Sequence, residues 1–406
     1  MHEMRESGVG YLGEIPVHWD TERIKNHLRF SPDKNPGDAM ILSLYREHGI
    51  VPKDSRDDNH NVTSEDTSNY RYVRVGDFVV NKMKAWQGSM GVSDYEGAVS
   101  PAYYVYRFKT DAFDKKYLHY LLRSKCYADE FRRLSGGIRI GQWDLPKVGF
   151  ETTYVAVPPK AEQTAIAEAI YVQLNKVDTL ITNVQTQIEK LKAYKQSLIT
   201  EVVTKGLDPT VPMKDSGVEW IGEIPEHWQI IRFRFIAKIT TGNQDTQNAE
   251  PDGAYPFYVR SPIVERCNAY TFDGEGILMA GDGAGAGRVF HLADGKYAVH
   301  QRVYRFYDFK YMDPVLLKLY LENLFSTVMD YGSAKTTVPS VRLPMIQDFF
   351  VCVPPENEQQ DMITVLSEKV DKIEKLIAIK QSKIEKLEQY KRSLIYEYVT
   401  GKKEVP

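Results

Sequence analysis

The sequence predicts an α+β protein. Two mixed α/β domains are separated by two long antiparallel coiled-coil helices, in a pseudo-two-fold cyclic arrangement. Three observations predict it. A fourteen-residue segment, Glu6 to Trp19, returns as Asp215 to Trp228 with nine identities at an offset of 209. A second repeat, Tyr194-Lys195-Gln196-Ser197-Leu198-Ile199 against Tyr390-Lys391-Arg392-Ser393-Leu394-Ile395, has an offset of 196. Between the repeats the sequences do not match, so one frame carries two different inserts.

The helices are read from their period. Apolar residues fall at Ile170, Leu174, Val177, Ile181, Val184, Ile188, Leu191 and Leu198, in steps of 4, 3, 4, 3, 4, 3 and 7. That 3.5-residue period is a coiled-coil seam rather than a globular helix face. The second seam, Leu366, Val370, Ile373, Ile377, Ile384, Leu387 and Leu394, lies 196 residues on, with Lys380 in the place of Val184. Either seam alone would be exposed to water, so the two are expected to pair. Val157-Pro158-Pro159 and Val353-Pro354-Pro355 end the preceding extended runs, since proline tolerates only a helix's first turn. Glu162 and Glu358 sit near the positive helix N-termini, and Gly206 and Gly401 mark the ends. At ~1.5 Å per residue each helix is a rod of roughly 60 Å.

The inserts have one order: strand, polar loop, strand, helix, Gly-rich loop, final strand. In the first, residues 72–80 and 102–108 read as strands, rich in β-branched and aromatic residues, and 114–134 as a helix. In the second, 276–279 and 298–307 are strands and 314–329 a helix. Expected boundaries are 1–157 for the first domain with its frame segment, 158–206 for the central helix, 207–353 for the second domain, and 354–406 for the last helix.

Composition excludes several classes. With 42% apolar and 26% charged residues, the 406-residue chain is long enough for two or three cores. Net charge is −3; residues 20–150 hold 21 Lys+Arg against 18 Asp+Glu, and 229–350 hold 13 of each. DNA affinity would therefore come from placement of charge, not its bulk. Cys126, Cys267 and Cys352 are too scattered for a disulfide framework or zinc site, so buried thiols are expected. No signal-peptide h-region and no run of ~18 apolar residues stands out, so a cytoplasmic protein with no membrane partner is expected.

No carboxylate pair, metal cluster or nucleophile–base spacing is distinctive, so no catalytic and no metal residue is assigned. Gly281-Asp282-Gly283-Ala284-Gly285-Ala286-Gly287-Arg288 invites a nucleotide-binding reading. It is set aside because the following residues look extended rather than helical, and no Gly-Lys-Ser/Thr follows. His18-Trp19 and His227-Trp228 repeat within the frame, which argues for a structural turn against the helices rather than catalysis.

The arrangement resembles the specificity subunit of type I restriction-modification systems, over essentially the whole chain. The resemblance is carried by the paired segments Gly13 to Trp19 and Gly222 to Trp228, by Pro-Pro-x-x-Glu-Gln at Pro158 to Gln163 and Pro354 to Gln359, and by the Ser-Leu-Ile helix ends. It implies a non-catalytic subunit with two target-recognition domains, each reading one half of a bipartite, asymmetric double-stranded DNA target. The helices would set half-site spacing and dock two methyltransferase subunits, and two motor-nuclease subunits would join in the full complex. S-adenosylmethionine, ATP and Mg²⁺ would belong to those partners, with no cofactor in this chain. The alternative is a scaffold with two protein-binding domains on a coiled-coil spacer and no DNA role.

Base readout needs Arg, Lys, Asn or Gln on rigid loops, with Ser, Thr and backbone amides on phosphate. That selects Lys82, Lys84, Gln87 and Ser89 after one strand, and Arg139 and Gln142 in the Gly-rich loop after the helix. In the second insert it selects Arg260, Gln301, Arg302, Ser333, Lys335 and Thr336. The helix-pairing seam is represented by Leu174, Val177, Ile181, Ile188, Val370, Ile373, Ile377 and Ile384.

Overall fold

A computed structural model describes residues 2–45, 49–55, 66–137, 143–332 and 339–405. The chain divides into two compact units, one made of residues 1–184 and 382–406, the other of 185–381.

The same parts recur in each unit. A hairpin pairs Met4–Glu6 with Glu14–Pro16 in the first, and Met213–Asp215 with Glu223–Pro225 in the second. The strand that follows, Asp20–Arg23 or Gln229–Arg232, pairs antiparallel with the last strand of the insert, Tyr154–Val157 or Phe350–Val353. Each insert is thereby closed at its base. A four-stranded antiparallel sheet comes next. In the first unit it runs Leu28–Phe30, Tyr103–Phe108, Phe78–Asn81, Met90–Val92. In the second it runs Lys238–Thr241, Val303–Tyr307, Gly276–Ala280, Phe290–Ala293. The middle strand Phe78–Asn81 is buried at every position, as is Gly276–Ala280, so apolar residues on both faces are what the fold requires there.

The two units differ in their second layer. The first adds two separate two-stranded ladders, Arg71–Val73 with Gly97–Val99 and Leu42–Tyr45 with Gly49–Pro52. The second builds a four-stranded sheet from Glu265–Cys267, Tyr255–Tyr258, Lys296–Val299 and Phe272–Asp273, and its central pair is parallel.

Three sequence expectations change in detail. The run 72–80 is two strands, because a turn at Gly76 (φ +87°) carries the chain from one ladder to the next. The helix 114–134 is two, Lys115–Arg123 and Lys125–Leu134, parted at Ser124, whose backbone is extended and whose Oγ donates to the Leu121 carbonyl. The strand 298–307 is also two, parted at His300-Gln301-Arg302, because its halves belong to different sheets.

The long helices span Lys160–Lys205 and Glu356–Val399. Their antiparallel pairing shows within the second unit, where Lys195 Nζ meets Glu374 Oε1 at 2.6 Å and Gln187 Oε1 accepts from Lys380 Nζ at 2.6 Å. In the first unit Lys391 Nζ meets Asp178 Oδ1 at 2.6 Å, which is the same pair displaced by 196 residues. Val177, Ile181, Ile188 and Ile373 are buried, and Leu174, Val370, Ile377 and Ile384 are half-buried.

The frame motifs tie helix, hairpin and insert together. The Gln163 side chain is fully buried. Its Nε2 donates to the Pro158 and Ala112 carbonyls at 2.8 and 2.9 Å, and its Oε1 accepts from the Asp114 amide at 2.8 Å. Gln359 repeats this with Pro354 and Tyr311 (both 2.8 Å) and with the Asp313 amide (2.7 Å). A glutamine suits the place because it offers donors and an acceptor together, leaving no buried amide atom orphaned. The neighbouring glutamate takes the hairpin. Glu162 accepts from Trp19 Nε1 at 3.1 Å and meets His18 Nε2 at 2.9 Å, while Glu358 does the same with Trp228 (2.9 Å) and His227 (2.7 Å).

The helix ends close against the same tryptophans. Gly206 (φ +78°) leaves 3.2 Å between an added Cβ and the Trp228 ring, and Gly401 (φ +71°) leaves 3.2 Å to Trp19 and less to Pro16. Only glycine fits a left-handed turn so close to an indole. His2 and Glu404, near the two ends of the chain, stand 4.0 Å apart in the first unit. The cyclic frame expected from the sequence therefore closes on itself there.

Candidate nucleic-acid interface

Those of the chosen loop residues that the structure describes gather at one place in each unit, where the central strands of the main sheet leave it. The two places are built alike. In the first unit the Leu145 amide donates to the Lys82 carbonyl, and Tyr104 Oη donates to the Leu145 carbonyl at 3.2 Å. In the second the Val341 amide donates to the Gly281 carbonyl, and Tyr304 Oη donates to the Val341 carbonyl at 3.1 Å. These bonds lash the loop after the second sheet strand to the segment that returns from the helix. Backbone held on both sides in this way presents side chains from a rigid base.

The side chains differ. In the first unit Lys82 is 28% exposed and its Nζ lies 2.7 Å from Asp144 Oδ2, so its charge is already paired. Lys84 is exposed and its ammonium has no partner among the described residues. Gln87 is half-buried. Ser89 is a correction: it is only 3% exposed, because it turns inward where its carbonyl accepts from the Asn81 amide, and its hydroxyl is not offered to a ligand. Trp86 and Trp143 lie with ring centroids 5.5 Å apart, and the Arg132 guanidinium sits 5.7 Å over Trp143. Half-exposed aromatics beside a cation form a surface on which a base or sugar can stack. Sequence reasoning selected neither tryptophan, and it missed Arg132, whose helix position carried no signal. Arg139 and Gln142 lie outside the described residues.

In the second unit three separate segments converge. Arg260 Nη1 lies 2.9 Å from Asp282 Oδ1, and Arg302 Nε lies 3.8 Å from Asp282 Oδ2. Gln301 Nε2 donates to Asp245 Oδ2 at 2.9 Å, so part of its donor capacity is already committed. Beneath them His300 is buried, and its Nδ1 accepts from the Arg302 amide at 3.0 Å. Burial and the nearby Arg260 guanidinium lower the His300 pKa, which keeps the ring neutral and able to accept. Sequence reasoning chose Arg260, Gln301 and Arg302 but did not select Asp282, which holds the two arginines, or Asp245, which holds Gln301. Ser333, Lys335 and Thr336 lie outside the described residues; the chain after them, Pro339 to Val341, is bonded to the Gly281–Gly283 loop.

The helix Lys115–Arg123 backs the first sheet through His119. Its Nδ1 lies 3.4 Å from the Val92 amide and its Nε2 lies 3.2 Å from Arg123 Nη1. Burial, and then Arg123, push its pKa down to about 3, so it is an uncharged structural group. Among the described residues no group of His, Cys, Asp or Glu could hold a metal ion, and no helix is long and apolar enough to cross a membrane. The three cysteines are buried and free.

Comparison with known proteins agrees with this architecture. A family model described as "Type I restriction modification DNA specificity domain" matches residues 225–389. The type I restriction enzyme EcoDI specificity subunit of Escherichia coli is 30% identical over 155 residues, which is 37% of this chain and only 32% of that protein. The putative type I restriction enzyme MjaX specificity subunit of Methanocaldococcus jannaschii is 24% identical over 440 residues, covering 97% of this chain and 96% of the relative. A chain solved in work on complex assembly and conformational transition of the type I R-M system shares the fold, with a TM-score of 0.71 at 14% identity over 95% of this chain and 99% of that one. Over nearly its whole length the chain is therefore similar to type I restriction-modification specificity subunits, and its residues 225–389 match the DNA specificity domain of that family.

Proposed function

We propose that this chain reads DNA sequence for a type I restriction-modification complex and performs no catalysis itself. The residues of each insert, in 1–157 and 207–353, read one half of a bipartite, asymmetric double-stranded target. The long helices, 158–206 and 354–406, set the half-site spacing and dock two methyltransferase subunits, and two motor-nuclease subunits complete the restriction complex. S-adenosylmethionine, ATP and Mg²⁺ act in those partners.

One observation carries the reading. The same frame, down to the Gln163 and Gln359 amide bonds, supports two loop clusters of different chemistry. An identical frame suits identical partners, and unlike clusters suit unlike half-sites. Groove geometry expects half-sites about one turn, ~34 Å, apart.

Methylome sequencing of a cell that expresses this chain with its methyltransferase subunit tests it. The expected result is one interrupted motif with two different halves. Exchanging residues 229–353 for those of another specificity subunit should change one half only. A palindromic or contiguous motif, or a change in both halves, refutes the assignment.

A further inference from the structure

The glycine-rich segment at 281–287 was set aside as a nucleotide-binding loop, and the structure gives it another task. It carries Asp282 to a point between two arginines from other segments, Arg260 and Arg302. The glycines make that approach possible. A Cβ on Gly281 would stand 2.8 Å from the Arg302 carbonyl oxygen, and one on Gly285 would stand 2.6 Å from the Arg260 carbonyl oxygen. Both contacts are with backbone, which cannot swing aside, so the close packing of the three segments requires residues without side chains there. Gly283 and Gly287 supply the left-handed turns, at φ +76° and +64°.

Fold stability does not explain the trio. The Arg260 and Arg302 side chains are 43% and 67% exposed, and exposed ion pairs contribute only about 0–1 kcal/mol. The chemistry is also wrong for a phosphate clamp. Two guanidiniums alone would bring two positive charges to a phosphate, whereas Asp282 cancels one and repels the anion. The same chemistry is right for a base pair. Asp282 engages Arg302 loosely through Nε, which leaves the two terminal nitrogens of that guanidinium directed elsewhere. A guanidinium presenting a pair of N–H groups matches O6 and N7 of guanine, and a carboxylate accepts from N4 of the paired cytosine. The neutral His300 ring fixes the Arg302 backbone through its amide.

We propose that Asp282 is a specificity-determining residue: with Arg302, it reads one G·C base pair in the half-site taken by the second unit, and Arg260 holds it in place. This rests on the DNA-reading function proposed above. It assigns a direct base contact to the loop and a positioning role to Arg260.

The test uses the full chain with its methyltransferase subunit. The probes are duplexes carrying the methylated motif and a set with each base pair of the motif changed in turn. The unaltered complex must first prefer the motif over unrelated duplex; if it does not, the DNA-reading function itself falls, whatever Asp282 does. Given that preference, Asp282→Asn keeps the shape and removes the charge. At one G·C position of one half-site, the ratio of matched to mismatched affinity should fall about tenfold or more. Discrimination elsewhere should be retained. Arg302→Ala should lose discrimination at that same position. The inference is overturned if Asp282→Asn discriminates at every position as the parent does, or if it loses all positions together. It is also overturned if Arg302→Ala weakens every duplex equally and lowers the salt slope by about one, the mark of a phosphate contact. Urea midpoints of both variants, expected to match the parent, show that the fold is intact.

Discussion

The two units place the same frame under unlike surfaces. Where the first unit has Lys82 paired to Asp144 and a Trp86–Trp143 pair beneath Arg132, the second has two arginines about one carboxylate. Below these, the Tyr104 and Tyr304 bonds to the Leu145 and Val341 carbonyls are the same bond twice. The difference teaches where this architecture allows change. Residues bonded to the helices repeat to within 0.2 Å in hydrogen-bond length, as at Gln163 and Gln359. Residues on loops beyond the central sheet share neither type nor partner. On the function proposed above, a frame that meets identical partners would be constrained by contact, whereas a loop that meets DNA would be free to vary with the sequence it reads.

The frame is not perfectly symmetric, and its seam is where the largest effect is expected. Ile181 is buried, whereas its repeat Ile377 is half-buried, beside a second seam that carries Lys380 in the place of buried Val184. Ile181→Asp should cost about 3–5 kcal/mol, since it removes packing and buries an unpaired charge. Ile377→Asp should cost about half as much, because water already reaches that site. Urea midpoints of the two variants measure this. Equal losses would mean that the two halves of the seam are alike, contrary to the burial.

A smaller, symmetric effect is expected at the buried glutamines. Gln163→Ala leaves the Pro158 and Ala112 carbonyls and the Asp114 amide without partners, at a cost of about 2–4 kcal/mol. Gln359→Ala should cost the same. Hydrogen exchange locates each loss: protection should fall in the helix Lys115–Arg123 for the first variant and in Pro314–Gly332 for the second. A loss shared by both units from one variant would break the equivalence.

The frame was legible because its causes are local or periodic. A 3.5-residue apolar period names a paired helix, and prolines name its start, whatever lies elsewhere. Even the cyclic closure could be read, since Glu6 to Trp19 stands to Gly401 as Asp215 to Trp228 stands to Gly206. The loop clusters were only half legible. Cations on loops could be chosen, but the carboxylates that hold them could not, because Asp282 and Asp144 reach Arg260 and Lys82 through tertiary packing. Ser89 was misread for the same reason, since a loop sequence does not say which side chain turns inward. The break at His300-Gln301-Arg302 was hidden because both flanking strands are apolar and β-rich; only the switch from one sheet to another divides them.

The remaining prediction concerns acid. At equivalent places on the helices that back the main sheets, the first unit has His119 followed four residues later by Arg123, and the second has Lys318 followed by Glu322 at 2.6 Å. The second pair carries opposite charges that satisfy one another. The first holds a half-buried neutral imidazole against a guanidinium, with a pKa of about 3 in the fold against ~6.5 in the unfolded chain. Between those values the unfolded chain binds a proton that the fold does not, so stability rises with pH and is lost as the pH falls below ~6.5. The loss approaches ~1.4 kcal/mol per pH unit from this group alone. Between pH 6.5 and 5, above most carboxylate titrations, His119→Gln should therefore lose about 1.6 kcal/mol less than the parent does. His291 and His300 of the second unit, whose pKa values are also lowered by burial, titrate in both proteins and cancel in the comparison. Unfolding midpoints across that range, read by exchange in Met90–Val92 and in Phe290–Ala293, check the assignment. If the parent and His119→Gln fell in parallel, the acid sensitivity would not belong to the first unit's helix, and the contrast between the two helix pairs would be without consequence for stability.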